Sequence, residues 1–209
     1  MVRRNFLKNS IYGSLSASTI MSLSNKTNTT VKSVPRIIST WKHGVNANKI
    51  AWKKLNNGEG GLSAVEYGVR DSENDPNERS VGYGGLPDRE GKVTLDACIM
   101  DSNNDCGSVS FLENIKNPIS VARLVMEKTP HIMLSGKGAF DFAIENGFKS
   151  ENLLTEQSKK DWQNWLKKSE YKPVINIENH DTISMLLIDS DRNLFGACTT
   201  SGAAWKMHG

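Results

Sequence analysis

Long apolar runs are missing from this sequence. No stretch approaches the roughly 20 residues of a membrane-spanning helix, so a membrane partner is not expected. Cysteine is scarce. The three residues Cys98, Cys106 and Cys198 are an odd number, which argues against a disulfide framework, although Cys98 and Cys106 are spaced to meet across a hairpin in an exported protein. No Cys-x-x-Cys or His-x-x-x-His spacing suggests a metal, and His43, His131, His180 and His208 are scattered, so no metal is expected. Acidic residues are absent from the first 24 positions, where Arg3, Arg4 and Lys8 supply as much positive charge as the net +3 of the whole chain. The basic balance therefore belongs to a leader and offers no face for nucleic acid.

What is present is ordinary for a globular protein. With 209 residues, 37% hydrophobic and 23% charged, the chain suits one domain with a substantial core. Its start, Arg3-Arg4-Asn-Phe6-Leu7-Lys8, resembles a twin-arginine export signal, followed by a weakly apolar, Ser-rich stretch from Ile11 to Leu23 as an export signal requires. Residues 24–35 read as a flexible spacer. Export to the periplasm is the expectation.

The remainder alternates strands and helices. Ile37–Thr40 is a short apolar start. Apolar spacing predicts helices over 46–57, with Ala47, Ile50, Ala51 and Leu55 on one face, and over 63–73, where Ser63 and Glu66 stand like a capping box. Residues 75–90 are too rich in Gly, Pro and Asp for either regular structure. Two hairpins follow from alternation around turn residues: 94–101 with 106–112, and 182–188 with 194–200. Helices are predicted over 119–128, opened by Pro118, over 138–146, and over 158–168, with a short strand at 132–135. Lys159-Lys160 and Lys167-Lys168 read as a solvated helix surface, and 172–179 as an extended lead-in. Helices beside antiparallel hairpins indicate an α+β domain in layers.

The chemistry centres on His180-Asp181-Thr182. A threonine hydroxyl is a poor nucleophile without a base. At a chain start, its own α-amine, with a reference pKa of roughly 7.7–8.0, serves as that base. If Thr182 Oγ1 attacks the Asp181 carbonyl, the amide becomes an ester, and water then frees an N-terminal threonine. A carboxylate just before the hydroxyl suits this cut. The tripeptide alone is equally what a turn or strand start uses, with Asp bonding nearby backbone.

The flanks carry more. Ile38-Ser-Thr-Trp41, Ser80-Val-Gly-Tyr-Gly-Gly85, Pro87-Asp88, Thr94-Leu-Asp-Ala-Cys-Ile-Met-Asp101 and Gly107-Ser-Val109 lead in order to Ile115-Lys-Asn-Pro-Ile-Ser-Val-Ala-Arg123, Asn179-His-Asp-Thr-Ile183 and Gly196-Ala-Cys-Thr-Thr-Ser-Gly202. Together, from about Ile37 to Gly209, they resemble the glycosylasparaginases, N-terminal-nucleophile amidohydrolases, and in particular the bacterial members of Flavobacterium type. The resemblance implies a four-layer αββα sandwich, incomplete at the C-terminus. It divides the chain into a leader and spacer (1–35), an α-subunit part (36–181) and the start of a β-subunit (182–209). It also implies autoprocessing at Asp181-Thr182, with His180 positioning the precursor. Thr182 would then attack the side-chain amide of a glycoasparagine, and a homodimer of cut protomers would form without cofactor. Thr200 matches the threonine that touches and tunes the nucleophile, and Trp41 a tryptophan beside the substrate, though a tryptophan fills a core equally well. The glycines of Tyr83-Gly84-Gly85 are expected to serve the turn rather than the substrate.

Two departures stand out. Ser184 replaces a glycine, where a side chain is expected to crowd the site or slow the cut. The sequence also stops at Lys206-Met-His-Gly209, where relatives continue. That continuation would bring an arginine and an aspartate that clamp the substrate's α-amino acid end and a Thr-Gly-His-Gly stretch that forms an oxyanion hole. The 209 residues alone are therefore expected to be a fragment of reduced or absent activity. Two other readings remain: an L-asparaginase or isoaspartyl peptidase with the same nucleophile, and a catalytically dead exported binding protein.

Overall fold

The structure is a computed structural model that describes residues 33–168 and 182–209. Its strands are β1 (Arg36–Ser39), β2 (Thr94–Met100), β3 (Cys106–Glu113), β4 (Met133–Ser135), β5 (Ile183–Ile188) and β6 (Leu194–Thr200). Its helices are α1 (Gly44–Asn56), α2 (Gly61–Asn74), α3 (Pro118–Lys128), α4 (Gly136–Glu145) and α5 (Glu156–Lys168). The strands form one six-stranded sheet in the order β1-β5-β6-β2-β3-β4. All neighbours are antiparallel except β3 and β4, which run parallel. Both hairpins anticipated from the alternation are present, and β2 pairing with β6 joins them into one sheet.

Each hairpin turn is held by one aspartate. Asp101 Oδ1 accepts from the amides of Asn103 and Asp105, and Asp189 Oδ1 accepts from those of Asp191 and Asn193. These side chains imitate a turn's own backbone bonds. They fix the pairing register, which the buried face then reinforces.

Strand side chains alternate between faces. Ala97, Ile99, Ile183, Met185, Leu187 and Ala197 point to one face and are buried with Ala47 and Ala51 of α1, Val65 and Val69 of α2, Val121 and Val125 of α3, and Ala139 and Ala143 of α4. The opposite face leaves Ile38, Met100, Met133 and Leu186 exposed. The described residues thus bear out the α+β reading as one sheet with a layer of helices on one side, and a second sheet is not among them. Close approach of α3 to β3 depends on Gly107, where a Cβ would lie 2.2 Å from the Ala122 carbonyl oxygen. α5 lies apart from this layer. Its Ser158 donates to the Gly84 carbonyl at 2.6 Å, its Trp162 to the Arg89 carbonyl at 3.1 Å, and its Trp165 stacks on Trp205. Lys159, Lys160, Lys167 and Lys168 are exposed, as the charge run implies.

Two local expectations fail. The second helix begins at Gly61 after Gly60, with no side-chain cap. Ser63 and Glu66 lie inside it and turn to α3 instead: Ser63 accepts from Arg123 at 3.1 Å, and Glu66 pairs with the same guanidinium at 2.8 Å. Tertiary partners outbid the local cap because Gly60, at φ 83°, already makes the entry turn that a Cβ would oppose. The three cysteines are free, and Cys98 faces Ser108 on β3 and Cys198 on β6 while Cys106 faces Met100. The hairpin register therefore separates Cys98 from Cys106.

Candidate active site

The site grows out of the second hairpin. Its register pairs Ile183 with Thr199, and carried one residue further it sets Thr182 beside Thr200 across the ladder. Both fall on the face away from the helices, because Ile183 and Thr199 are buried against them. The Thr182 hydroxyl donates to Thr200 Oγ1 at 2.9 Å. Thr200 Oγ1 also accepts from the Gly202 amide at 2.9 Å and donates to the Ser80 carbonyl at 3.4 Å. That last contact is long for a hydroxyl bond, so the Thr200 proton is weakly held.

Thr182 is also fixed from the other side. β1 continues its pairing through Thr40, whose amide donates to the Ser184 carbonyl and whose hydroxyl donates to the Thr182 carbonyl at 2.9 Å. The Ser184 amide donates back to Thr40 Oγ1 at 3.0 Å. Trp41 follows directly and is 44% exposed at φ 63°. A bulky residue seldom adopts this left-handed conformation, and such strain concentrates at functional sites. The sheet therefore gathers Thr182, Thr200 and the Thr40-Trp41 segment at one end. His180 and Asp181 lie outside the described residues.

The hydroxyl that Ser184 adds donates to Cys198 Sγ at 3.3 Å, along the sheet. The Cys198 thiol is held below its ordinary pKa by Cys98 opposite it and then by Ser184, against burial, while Cys98 is pushed up by the same Cys98–Cys198 interaction and by burial.

The loop after α2 closes the other flank. Ser80 accepts the Ser201 amide at 2.7 Å through its carbonyl. Gly82 and Gly84 have φ of 51° and 85°, and a Cβ on Gly82 would stand 2.2 Å from the Glu73 carbonyl. Here glycine serves the turn and the close approach, as the sequence suggests. Lys206 Nζ donates to the Ser201 carbonyl at 2.9 Å and stands 4.0 Å from Asp96. Burial lowers its pKa, opposed by the charges of Asp96 and Asp88.

Thr40, Ser80, Gly202 and Lys206 were not singled out from the sequence. The first three belong to the quoted motifs, but only the folded register shows which of their atoms reach the threonines. Among the described residues no group of three or more His, Cys, Asp or Glu side chains is arranged to hold a metal. A cavity of about 420 Å³ lined by Glu66, Arg70, Arg123 and Phe148 lies in the helix layer and contains neither threonine. Its Glu66 is already paired with Arg123 and Ser120.

Comparison with known proteins identifies the family. A profile of the asparaginase family matches residues 24–209. An N4-(β-N-acetylglucosaminyl)-L-asparaginase from Elizabethkingia miricola is 65% identical over 175 residues, covering 84% of this chain and 52% of that protein. The protein of the same name from Rattus norvegicus is 35% identical over 207 residues, covering 84% of this chain and 60% of its own. The chain thus spans little more than half the length of these curated relatives. On the match over nearly its whole length, the chain belongs to the asparaginase family.

Proposed function

We propose that this chain carries the nucleophile half of an amidohydrolase that cleaves the N4-(β-N-acetylglucosaminyl)-L-asparagine bond, yielding aspartate and a glycosylamine. The observation that carries the reading is the 2.9 Å bond between the Thr182 and Thr200 hydroxyls. The names of the relatives supply the substrate class.

The first step is the cut. Thr182 Oγ1 attacks the Asp181 carbonyl carbon, the Asp181–Thr182 C–N bond breaks, and the Asp181 acyl group passes to oxygen as an ester. Water hydrolyses that ester and leaves Thr182 as a chain start. His180 and Asp181 position and activate the bond. In the cut protein the Thr182 α-amine takes the hydroxyl proton as Oγ1 attacks the substrate's side-chain carbonyl. In the resting state Thr200 Oγ1 accepts a hydrogen bond from the Thr182 hydroxyl. It can turn its own proton from the distant Ser80 carbonyl onto the developing alkoxide, because that contact is weak. The tetrahedral adduct collapses with departure of the glycosylamine, the Thr182 amine returning its proton, and water then frees aspartate. Trp41, beside the Thr40 clamp, flanks the substrate. No metal or organic cofactor enters the scheme.

Further parts of the reading rest on the sequence. The twin-arginine start supports export to the periplasm. The exposed apolar residues of the sheet, Ile38, Met100, Met133 and Leu186, suit a covering second sheet in a four-layer sandwich, and the cut protomers form a homodimer. Competing hydrolysis of glycosylasparagine, free asparagine and a β-aspartyl dipeptide tests the substrate. Preference for the first in kcat/KM is expected. Preference for either other substrate replaces the reading with an asparaginase or isoaspartyl peptidase. Binding of glycosylasparagine without turnover replaces it with a binding protein.

A further inference from the structure

We propose that Glu73 is a positioning residue for this site: by holding the Thr199 hydroxyl from beneath β6, its carboxylate fixes the strand end that presents Thr200 to Thr182. The proposal rests on reading Thr182 and Thr200 as the reacting pair.

Glu73 lies near the end of α2 and is fully buried. Its Oε1 accepts from the Thr199 hydroxyl at 2.8 Å and from the Ile119 amide at 3.1 Å, and its Oε2 accepts from the Asn117 side chain at 3.1 Å. An ionised carboxylate only accepts, and these contacts are all donors. The Ile119 amide lies in the first turn of α3, the end of a helix that favours negative charge. Filling space would need only an apolar side chain there, and buried ionic groups are often replaceable that way without loss of stability. The feature an apolar residue lacks is directional hold on Thr199.

That hold reaches the site by a short route. Thr199 and Thr200 are consecutive on β6 and point to opposite faces, so fixing one sets the other. Glu73 also ties down the far side of the cradle. Its carbonyl accepts the Tyr83 amide at 2.8 Å and sits where Gly82 leaves room, anchoring the loop whose Ser80 carbonyl meets both Thr200 and Ser201. One buried residue therefore joins α2, the start of α3, the loop and the strand of Thr200.

Burial pushes the Glu73 carboxyl up to about 7, against the lowering bonds from Thr199, Asn117 and Ile119 and the charge of Arg70. The groups facing it are the Arg70 guanidinium from α2, the Asn117 amide and Ile119 N–H from the start of α3, and the Thr199 hydroxyl from β6. The loop supplies the Tyr83 N–H to its carbonyl. One residue earlier on α2, Ser72 bonds His43, which stands 3.9 Å from Glu78. Protonation converts one accepting oxygen into a donor and releases a partner. A raised folded-state pKa means that the folded chain binds this proton more readily than the unfolded one. The Glu73 contribution to stability is therefore fully present below about 4.5 and declines as pH rises to about 7. Order at Thr199 and Thr200 increases through the upper part of that range. Stability and site order thus move oppositely with pH, which a merely structural role does not produce.

The test uses backbone-amide NMR titration from pH 5 to 9 on the wild-type chain, Glu73→Gln and Thr199→Val, with the rate of cutting at Asp181–Thr182 followed in parallel. In the wild type the Thr199, Thr200 and Ile119 amides should shift with a midpoint near 7. Glu73→Gln should abolish the midpoint, flatten the pH dependence of cutting and slow it roughly 10- to 100-fold, the range for losing a hydrogen bond to a charged group. Thr199→Val, which keeps the β-branched shape, should move the Thr200 amide and slow cutting even if Glu73→Gln does not fold. A Thr200 amide indifferent to pH and to both substitutions overturns the proposal. An uncut wild type overturns the nucleophile reading instead, while the amide titration still decides whether Glu73 sets Thr200.

Discussion

Thr182→Ala is expected to leave the Asp181–Thr182 bond intact and to reduce hydrolysis of glycosylasparagine by at least about 10⁴-fold, the scale on which enzymes lose rate when a covalent nucleophile is deleted. The substitution removes the attacking oxygen of both reactions. It should do little else. Thr182 stands just before β5, its carbonyl still accepts from Thr40, and Thr200 keeps its bonds with Gly202 and Ser80. An unchanged thermal midpoint and circular dichroism spectrum would assign the loss to chemistry. Thr182→Ser retains an oxygen at the same place and should recover a measurable part of both reactions. Continued cutting at the same bond in Thr182→Ala would contradict self-processing.

Thr200→Val is expected to lower kcat by roughly 10- to 100-fold, the range for losing a hydrogen bond to a charged group, with a smaller change in KM. Valine reproduces the shape of threonine but neither accepts a hydrogen bond from the Thr182 hydroxyl nor donates to its alkoxide. It also strands the Gly202 amide, now bonded at 2.9 Å, so slight loosening of the turn after β6 should accompany the kinetic loss. Thr200→Ser separates the two effects, because a hydroxyl without the methyl should retain most of the rate. Stopped-flow or initial-rate measurements on cut protein check the split. Loss confined to KM would make Thr200 a binding residue.

The threonines were legible as a pair only through the resemblance, since Thr200 by itself is an ordinary strand end, but the hairpin that brings them together was legible from local pattern. Alternation marked residues 182–188 and 194–200 as strands, Asp189 and Asn193 marked the turn, and a short turn leaves little freedom in register. The helices were legible for a similar reason: local signals (an apolar face, a proline at the first turn, breaking glycines) placed all five within a few residues of their observed bounds. Starts were less clear. α1 begins at Gly44, where a Cβ would collide with the Ser39 side chain, and α4 at Gly136, whose φ of 51° favours glycine, both earlier than the apolar pattern.

Long-range partnerships were not legible. Thr40 clamps Thr182 across 142 positions, and Glu73 reaches Thr199 across 126. No local periodicity encodes either. The local signal was misleading for Ser63 and Glu66, whose spacing imitates a cap but whose side chains serve Arg123. The Cys98–Cys106 spacing left a pairing open that the odd count argued against, and turn length alone does not say which residue ends up opposite Cys98. Glu73 was the least visible of all, one acid near the end of a helix carrying several polar residues. Only its complete burial among donors distinguishes it.

The central claim is that Thr182 becomes a chain start. The most direct measurement is the intact mass and N-terminal sequence of the protein isolated from its host under denaturing conditions. A chain beginning at Thr182, with its companion ending at Asp181, is the predicted result. Protein in which the Asp181–Thr182 bond remains uncut throughout would contradict the account.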